Sequence, residues 1–270
     1  MNVLLRPLRT PKAQLLAIFA VLLAIAAPSE GGAGLWRNLA AAVVPACLID
    51  AVWLSLAARR PRLPTSALLS AVIVFFILSA SESWLVVAWT SSFAVISKHV
   101  LRAQREHIFN PAALALVWAP IVFGSGESWW GALGDVPWVW LIPLVVLGAL
   151  LVDRLNKFPL VLTFLAAYFA FFSVASLSSP HAVAEMFREP FLQATLFLAL
   201  FMLTDPPTSP NRYLDQFWFG LLAATAAGFA QLLGAGEVYL LAGVLAANAA
   251  LAAVRLARRQ NRLVVAPAVR

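Results

Sequence analysis

Lys98-His99-Val100-Leu101-Arg102-Ala103-Gln104-Arg105-Glu106-His107-Ile108-Phe109-Asn110-Pro111 is the one dense polar run in a chain that is otherwise almost continuously apolar. Uniformly apolar segments flank it on both sides, so the run reads as a gap between two membrane spans. The composition agrees. Of 270 residues, 62% are hydrophobic and 11% charged, and the mean hydropathy is +0.87. A water-soluble domain of this size cannot hide that much apolar surface, so the chain reads as an integral membrane protein.

Working outward from the polar run, apolar segments fall at 13–27, 36–57, 65–80, 84–97, 111–123, 137–152, 159–177, 190–203, 216–234 and 238–254. These predict ten transmembrane helices. Barrel strands would alternate in polarity and run only about ten residues. With the N-terminus cytoplasmic, all the Lys and Arg residues except Arg37 and Arg188 fall on one side. The positive-inside rule predicts such a split, which places both termini in the cytoplasm of a bacterial inner-membrane, multi-pass protein. The excess of basic residues therefore orients helices against the lipid bilayer, and nucleic acid is not expected as a partner. Arg6, Arg9 and Lys12 ahead of the 13–27 segment also allow a cleaved signal peptide. The charge count favours a retained first helix.

The 111–123 and 190–203 segments are short for a hydrocarbon core of about 30 Å. Short or proline-broken helices mark folds built from inverted repeats, where unwound backbone lines a binding site. Ten helices split into two five-helix repeats, the second entering the membrane upside down. The expectation is one all-α membrane domain spanning 1–270, with repeats at about 13–123 and 137–254 and a basic cytoplasmic tail at 255–270. In that scheme Ser81-Glu82-Ser83 mirrors the 204–215 turn, and the Asn110-Pro111 entry mirrors the Glu237 entry.

Within the polar run, Lys98, Arg102 and Arg105 recur at three- to four-residue spacing, which would align them on a helical extension. They read either as a membrane anchor for anionic lipid or as part of a site. Asn110, before a proline, sits at a break. Its amide either caps the fifth helix or holds the edge of a planar heterocycle. His107 is either a hydrogen-bonded structural residue or a ligand, and the spacing of His99 and His107 does not support a bis-histidine haem. The second interruption is Thr204-Asp205-Pro206-Pro207-Thr208-Ser209-Pro210-Asn211-Arg212. Asp205 there is either a functional acid near the membrane surface or a turn former. Asp50, within the second segment, is a costly buried acid, and Glu237 and Asn248 share a face of the tenth. Cys47 is expected as a small buried hydrophobe; one cysteine leaves no intrachain disulfide or cysteine-rich cluster, and no metal site is expected. Most of the ten Trp and eighteen Phe are expected to face lipid or the interface.

The Ser97–Pro111 run, Met202-Leu203-Thr204-Asp205-Pro206, and Glu237-Val238-Tyr239 with Asn248 together resemble the NqrB/RnfD family, the membrane subunits of sodium-translocating NADH:quinone reductase and of the Rnf complex. The Thr-Asp-Pro-x-Thr-Ser-Pro form looks closest to the short UnbU-like branch. The resemblance implies an inverted-repeat fold similar to urea channels, and a membrane subunit of a flavin-dependent electron-transport system. It implies a non-covalent flavin, riboflavin or FMN, beside the Asn-Pro entry on the cytoplasmic side. The cofactor-binding candidates are then Asn110, His107, Phe109, Pro111, Lys98, Arg102, Thr204 and Asp205. No catalytic residue is assigned, because the subunit is expected to be an accessory in electron transfer. No Ser/Thr-Gly-Ala-Thr stretch occurs, so covalent FMN is not expected. Gly124-Ser125-Gly126-Glu127-Ser128-Trp129-Trp130-Gly131 is the nearest Gly/Ser-rich loop, and it lacks the threonine. The family's longer Gly-rich helix start is also missing. Without a nicotinamide or FAD fingerprint, electrons must come from a partner protein, another membrane subunit or a quinol. The alternative is a solute or ion channel or transporter on the same scaffold, with no cofactor.

Overall fold

The computed structural model describes residues 10–30, 32–58, 64–103, 106–178 and 180–265. Among them, ten longer helices follow in order: α1 (Pro11–Glu30), α2 (Ala33–Ala58), α3 (Thr65–Ile77), α4 (Trp84–Val100), α5 (Pro111–Phe123), α6 (Leu141–Leu155), α7 (Phe158–Ser176), α8 (Phe191–Met202), α9 (Tyr213–Leu232) and α10 (Tyr239–Val265). Helices are the outcome because the bilayer core offers no water to unpaired backbone groups, and an α-helix satisfies them within one segment. Five are long and apolar enough to cross a membrane. Apolar side chains such as Leu48, Leu56, Ile121, Leu150 and Val174 are exposed along the outer surface. The protein is an all-α polytopic membrane protein.

The helices pack in a regular pattern. α2 lies on α4 and α7 on α9; α4 lies on α5 and α9 on α10; α1 meets α6 and α5 meets α10. Glycines permit the closest crossings. A Cβ on Gly243 would lie 2.4 Å from the Ala223 carbonyl oxygen, and one on Gly220 would lie 2.7 Å from the Leu160 carbonyl. Small residues at membrane helix crossings allow the backbones to approach in this way.

The short helices end inside the protein, where other segments satisfy their backbone. α3 stops at Ile77 because Leu78 is extended and bridges to Glu127. The Ile77 carbonyl then accepts from the Ser128 and Trp129 N–H groups at 2.9 and 3.1 Å. α8 ends as a π-helix over Leu198–Met202, a widened turn frequent at functional sites.

Several boundaries differ from the sequence reading, each for a local reason. α4 runs on to Val100 because Lys98 and His99 find a buried partner in Asp50. Beyond it there is no helical extension. Leu101 leaves the helical region, and β1 (Arg102–Ala103) pairs antiparallel with β2 (Glu106–His107), opposing Arg102 to His107. The expected alignment of Lys98 and Arg102 on one helix face is thereby overturned, and Arg105 lies outside the described residues. α6 begins late, after a 3₁₀ turn at Trp138–Trp140. The expected basic tail begins as helix, since α10 continues to Val265. Arg6, Arg9, Arg59, Arg60, Arg62 and Arg270 also lie outside the described residues.

The aromatics divide by type. Seven of the ten Trp are exposed, but only five of the eighteen Phe are. The interior instead holds a cluster of Phe19, Phe76, Phe197 and Phe201. The Phe19 ring lies 5.6 Å from those of Phe76 and Phe201, and Phe197 lies 5.2 Å from Phe201. The indole tolerates the wet interface through its N–H, whereas Phe has no polar handle and fills the core. Cys47 is half-buried rather than fully enclosed.

Candidate functional site

Chain connections and polar contacts place Lys98, Asn110, Lys157 and the 203–212 loop at one end of the bundle, here the basic face. Glu82, Glu127 and Glu237 mark the opposite, acidic face. A cavity of about 280 Å³ opens at the basic face between α1, α3, α5, α6 and the end of α8. Its apolar walls include Leu15, Leu69, Ile73, Leu151, Leu155 and Phe201. Its polar groups come from Lys12, Ser66, Ser70, Lys98, His107, Asn110, Thr204 and Asp205. Six of the eight residues expected from sequence therefore meet in one place: Lys98, His107, Asn110, Pro111, Thr204 and Asp205. Arg102 and Phe109 do not line it. The exposed Arg102 folds back, its Nε donating to the Lys98 carbonyl at 3.0 Å.

Asn110 joins the two signature segments. It has extended backbone (φ −60°, ψ 119°) and Pro111 follows it at the first helical position. The pre-proline restriction and the N-cap conformation thus coincide. Its Oδ1 accepts from the Ala113 N–H at 3.1 Å, capping α5. Its Nδ2 donates to the Met202 carbonyl, at the end of the π-helix, at 3.2 Å. Its backbone N–H donates to Asn248 Oδ1 at 2.8 Å, and Asn248 Nδ2 donates to the Thr208 carbonyl at 3.0 Å. Asn110 is therefore a cap and a staple as well as a wall of the cavity.

Thr204 and Asp205 form the opposite lip. The Thr204 hydroxyl donates to the Leu200 carbonyl at 2.8 Å, bonding back into the π-helix. The Asp205 carboxylate accepts from the Thr208 hydroxyl at 2.9 Å, and its carbonyl accepts from the Ser209 hydroxyl at 2.8 Å. Burial pushes the Asp205 carboxyl up to about 6, with Thr208 offsetting part of the effect. Asp205 is thus both a turn former and a group that titrates near neutrality. Behind this loop, buried Lys157 donates to the Pro210 carbonyl and, at 3.0 Å, to Asn211 Oδ1. Burial brings its ammonium down to about 8.

His107 supplies an unfilled valence. Burial, followed by the positive charges of Lys98 and Arg102, lowers its imidazole to about 4, so the ring is neutral at physiological pH. Its Nδ1 is buried and has no hydrogen-bond partner among the described residues. Buried polar atoms are otherwise nearly always bonded.

Lys98 brings in a partner that lies far away in sequence. Its Nζ is 2.7 Å from Asp50 Oδ1 and donates to the Ser66 hydroxyl at 2.8 Å. His99 Nε2 donates to the same Asp50 oxygen at 2.7 Å, and its ring stacks on Trp53 at 4.8 Å. Lys98 is 4% exposed and Asp50 1%. The charge count alone would assign Lys98 to membrane anchoring; the structure buries it as half of an ion pair. Lys12, Ser66 and Lys157 also help to form the site, yet none of them stands out in a single sequence.

The chain matches the family described as NQR2, RnfD, RnfE over residues 125–261, just over half of its length. That region contains Thr204, Asp205 and Asn248 and begins beyond Asn110. A relative from Pseudomonas paraeruginosa (strain DSM 24068 / PA7), a subunit of an ion-translocating oxidoreductase complex, is 32% identical over 141 residues. The alignment covers 48% of this chain and 40% of that relative, so the chain spans well under half of the curated protein it matches. Together with the membrane fold, the match over residues 125–261 shows that this chain belongs to the NQR2, RnfD, RnfE family.

Proposed function

We propose that this protein is a membrane subunit of an ion-translocating oxidoreductase complex, and that its basic-face cavity holds a non-covalent flavin, riboflavin or FMN. The relative's description supports the first part. One observation carries the second: six residues from two separate sequence signatures converge on one apolar-walled cavity, with the unpartnered Nδ1 of His107 buried beside it. A volume of about 280 Å³ lies near the low end of small-molecule pockets, roughly 300–1,000 Å³, which suits a single ring system better than a dinucleotide. Bound there, a flavin would supply reversible electron acceptance. The protein's own groups have definite tasks. Leu69, Ile73 and Phe201 would exclude water from a planar ring, and neutral His107 would offer it a hydrogen-bond acceptor. Asp205, titrating near neutrality, takes up or releases a proton at the rim. Asp50 offsets the Lys98 charge at the cavity wall. The pairing of α2 with α4 and α7 with α9, and of α1 with α6 and α5 with α10, supports the inverted repeat. The concentration of Lys and Arg at the basic face supports placing that face in the cytoplasm of a bacterial inner membrane.

The test is the visible spectrum of the purified protein, followed by quantification of flavin released on denaturation. Stoichiometric flavin is expected. His107→Leu removes the unpartnered acceptor and Leu69→Trp fills the cavity, so both should lower occupancy severalfold in folded protein. A colourless wild type, or full occupancy in both variants, overturns the assignment and leaves the cofactor-free transporter reading.

A further inference from the structure

A second cavity of about 280 Å³ lies at the acidic face, beyond the other end of α5. α5 has thirteen residues, so the two ends are separated by about 20 Å. Glu127, Glu237, Asp135, Trp129, Phe191 and Tyr239 are among its walls. The loop after α5 is firmly built. The Gly126 N–H donates to Glu82 Oε1 at 3.0 Å, and the Glu127 N–H donates to Glu237 Oε2 at 2.6 Å. These bonds fix where the Glu127 side chain begins. The side chain itself is weakly held: Glu127 is 4% exposed, and among the described residues neither carboxylate oxygen has a hydrogen-bond partner of normal geometry. Burial pushes its carboxyl well above the usual range, the Glu237 carboxylate adds to this, and Trp129 offsets part. A buried acid left open beside a second acid is costly unless a donor arrives.

The chemistry of that donor follows from the walls. Among the described residues, no group of three His, Cys, Asp or Glu side chains is arranged to hold a metal ion. The cavity is also far larger than the roughly 30 Å³ that one water occupies in the liquid. Carboxylates beside aromatic side chains recognise ammonium and guanidinium groups, which combine hydrogen-bond donors with a charge attracted to ring faces. We propose that this pocket binds a small organic cation, an alkylammonium or guanidinium group, between the carboxylates of Glu127 and Glu237 and the aromatic side chains of Trp129 and Phe191. The seat is independent of the flavin reading, because it lies at the opposite end of α5.

Equilibrium binding of radiolabelled guanidinium to the detergent-purified full chain tests this, at ionic strength held constant with sodium chloride. Saturable binding is expected, displaced by propylammonium but not by potassium at the same concentration. Glu127→Gln keeps the shape and removes the charge, and should weaken binding roughly tenfold or more. Asp135→Asn, at the exposed rim, should weaken it severalfold, and it remains informative if the Glu127 variant fails to fold. Binding in native membranes assigns a free cation. Binding only after purification assigns the same seat to a lysine or arginine of a neighbouring protein. Non-saturable binding, equal affinity in either variant, or equal displacement by potassium overturns the proposal.

Discussion

Replacing Asp50 with Ala should be among the most damaging single changes in the protein. The carboxylate is 1% exposed, and its Oδ1 lies 2.7 Å from both Lys98 Nζ and His99 Nε2. Without it, the Lys98 ammonium keeps, among the described residues, only the Ser66 hydroxyl, at 2.8 Å, inside a low-dielectric interior. Breaking a buried pair from one side typically costs about 3–5 kcal/mol, because the remaining charge stays buried and unpaired. That is a large share of a total stability of about 5–15 kcal/mol. Lys98→Met should cost somewhat less, since His99 still donates to Asp50. The double variant Asp50→Ala/Lys98→Met removes both charges and should recover much of the loss, with a coupling of about 1–3 kcal/mol. Urea unfolding of the detergent-solubilised protein, followed by tryptophan fluorescence, gives all four corners of the cycle. If the two single effects add within about 0.5 kcal/mol, or if Asp50→Ala leaves the midpoint unchanged, the buried ion pair does not organise this end of the bundle.

Three further outcomes follow from other parts of the structure. Gly243→Ala would set a Cβ 2.4 Å from the Ala223 carbonyl, forcing α9 and α10 apart; a loss of about 1–3 kcal/mol is expected by the same unfolding assay, and no loss would disprove the tight crossing. Asp205→Asn has a pH signature. The carboxyl is raised to about 6 in the fold, so its stabilising contribution is complete below its unfolded value of about 3.9 and is lost as pH rises through about 6. The neutral Asn variant should therefore be more stable than wild type above neutral pH and converge with it near about pH 4; a wild-type advantage at alkaline pH would contradict this. Lys157→Met leaves the Pro210 carbonyl and Asn211 Oδ1 without their donor, at a cost of about 1–3 kcal/mol. Hydrogen exchange should then quicken in 204–212, and unchanged protection there would show that Lys157 does not hold the loop.

Much of the fold is legible in the sequence because the bilayer imposes a simple rule: apolar runs become helices and polar breaks become turns. All ten runs appear as helices, and the Asn110-Pro111 break begins α5. The gathering of both signatures at one face is also readable, since an even number of crossings separates them. What escapes depends on contacts distant in sequence. The Asp50–Lys98 pair spans two helices that only packing brings together, so by sequence Lys98 looks like one more basic loop residue. Lys12 and Ser66 reach the cavity because α1 and α3 border it, which no local pattern records. The π-helix at Leu198–Met202 has no sequence mark; the Asn110 amide bonds the carbonyl of its last residue from a distant segment. The Phe cluster runs against expectation because composition alone cannot distinguish a residue that faces lipid from one that faces another helix. The helical extension expected for Arg102 fails because the two-residue pairing with His107 competes for the same backbone.

The start of α5 is bound to the middle of α10, and the loop after α5 is bound to the turn that precedes α10. At the basic face the Asn110 N–H is held by Asn248, and at the acidic face the Glu127 N–H is held by Glu237. The two helices are thus braced like the rails of a ladder, with one rung near each mouth. A sliding or tilting of α5 that widens one cavity must either move α10 with it or break a rung. Because α10 is also packed along α9, whose first turn lies next to the 203–212 loop, such a movement would be shared by the second half of the protein. The two cavities, separated by the length of a short helix, are mechanically joined.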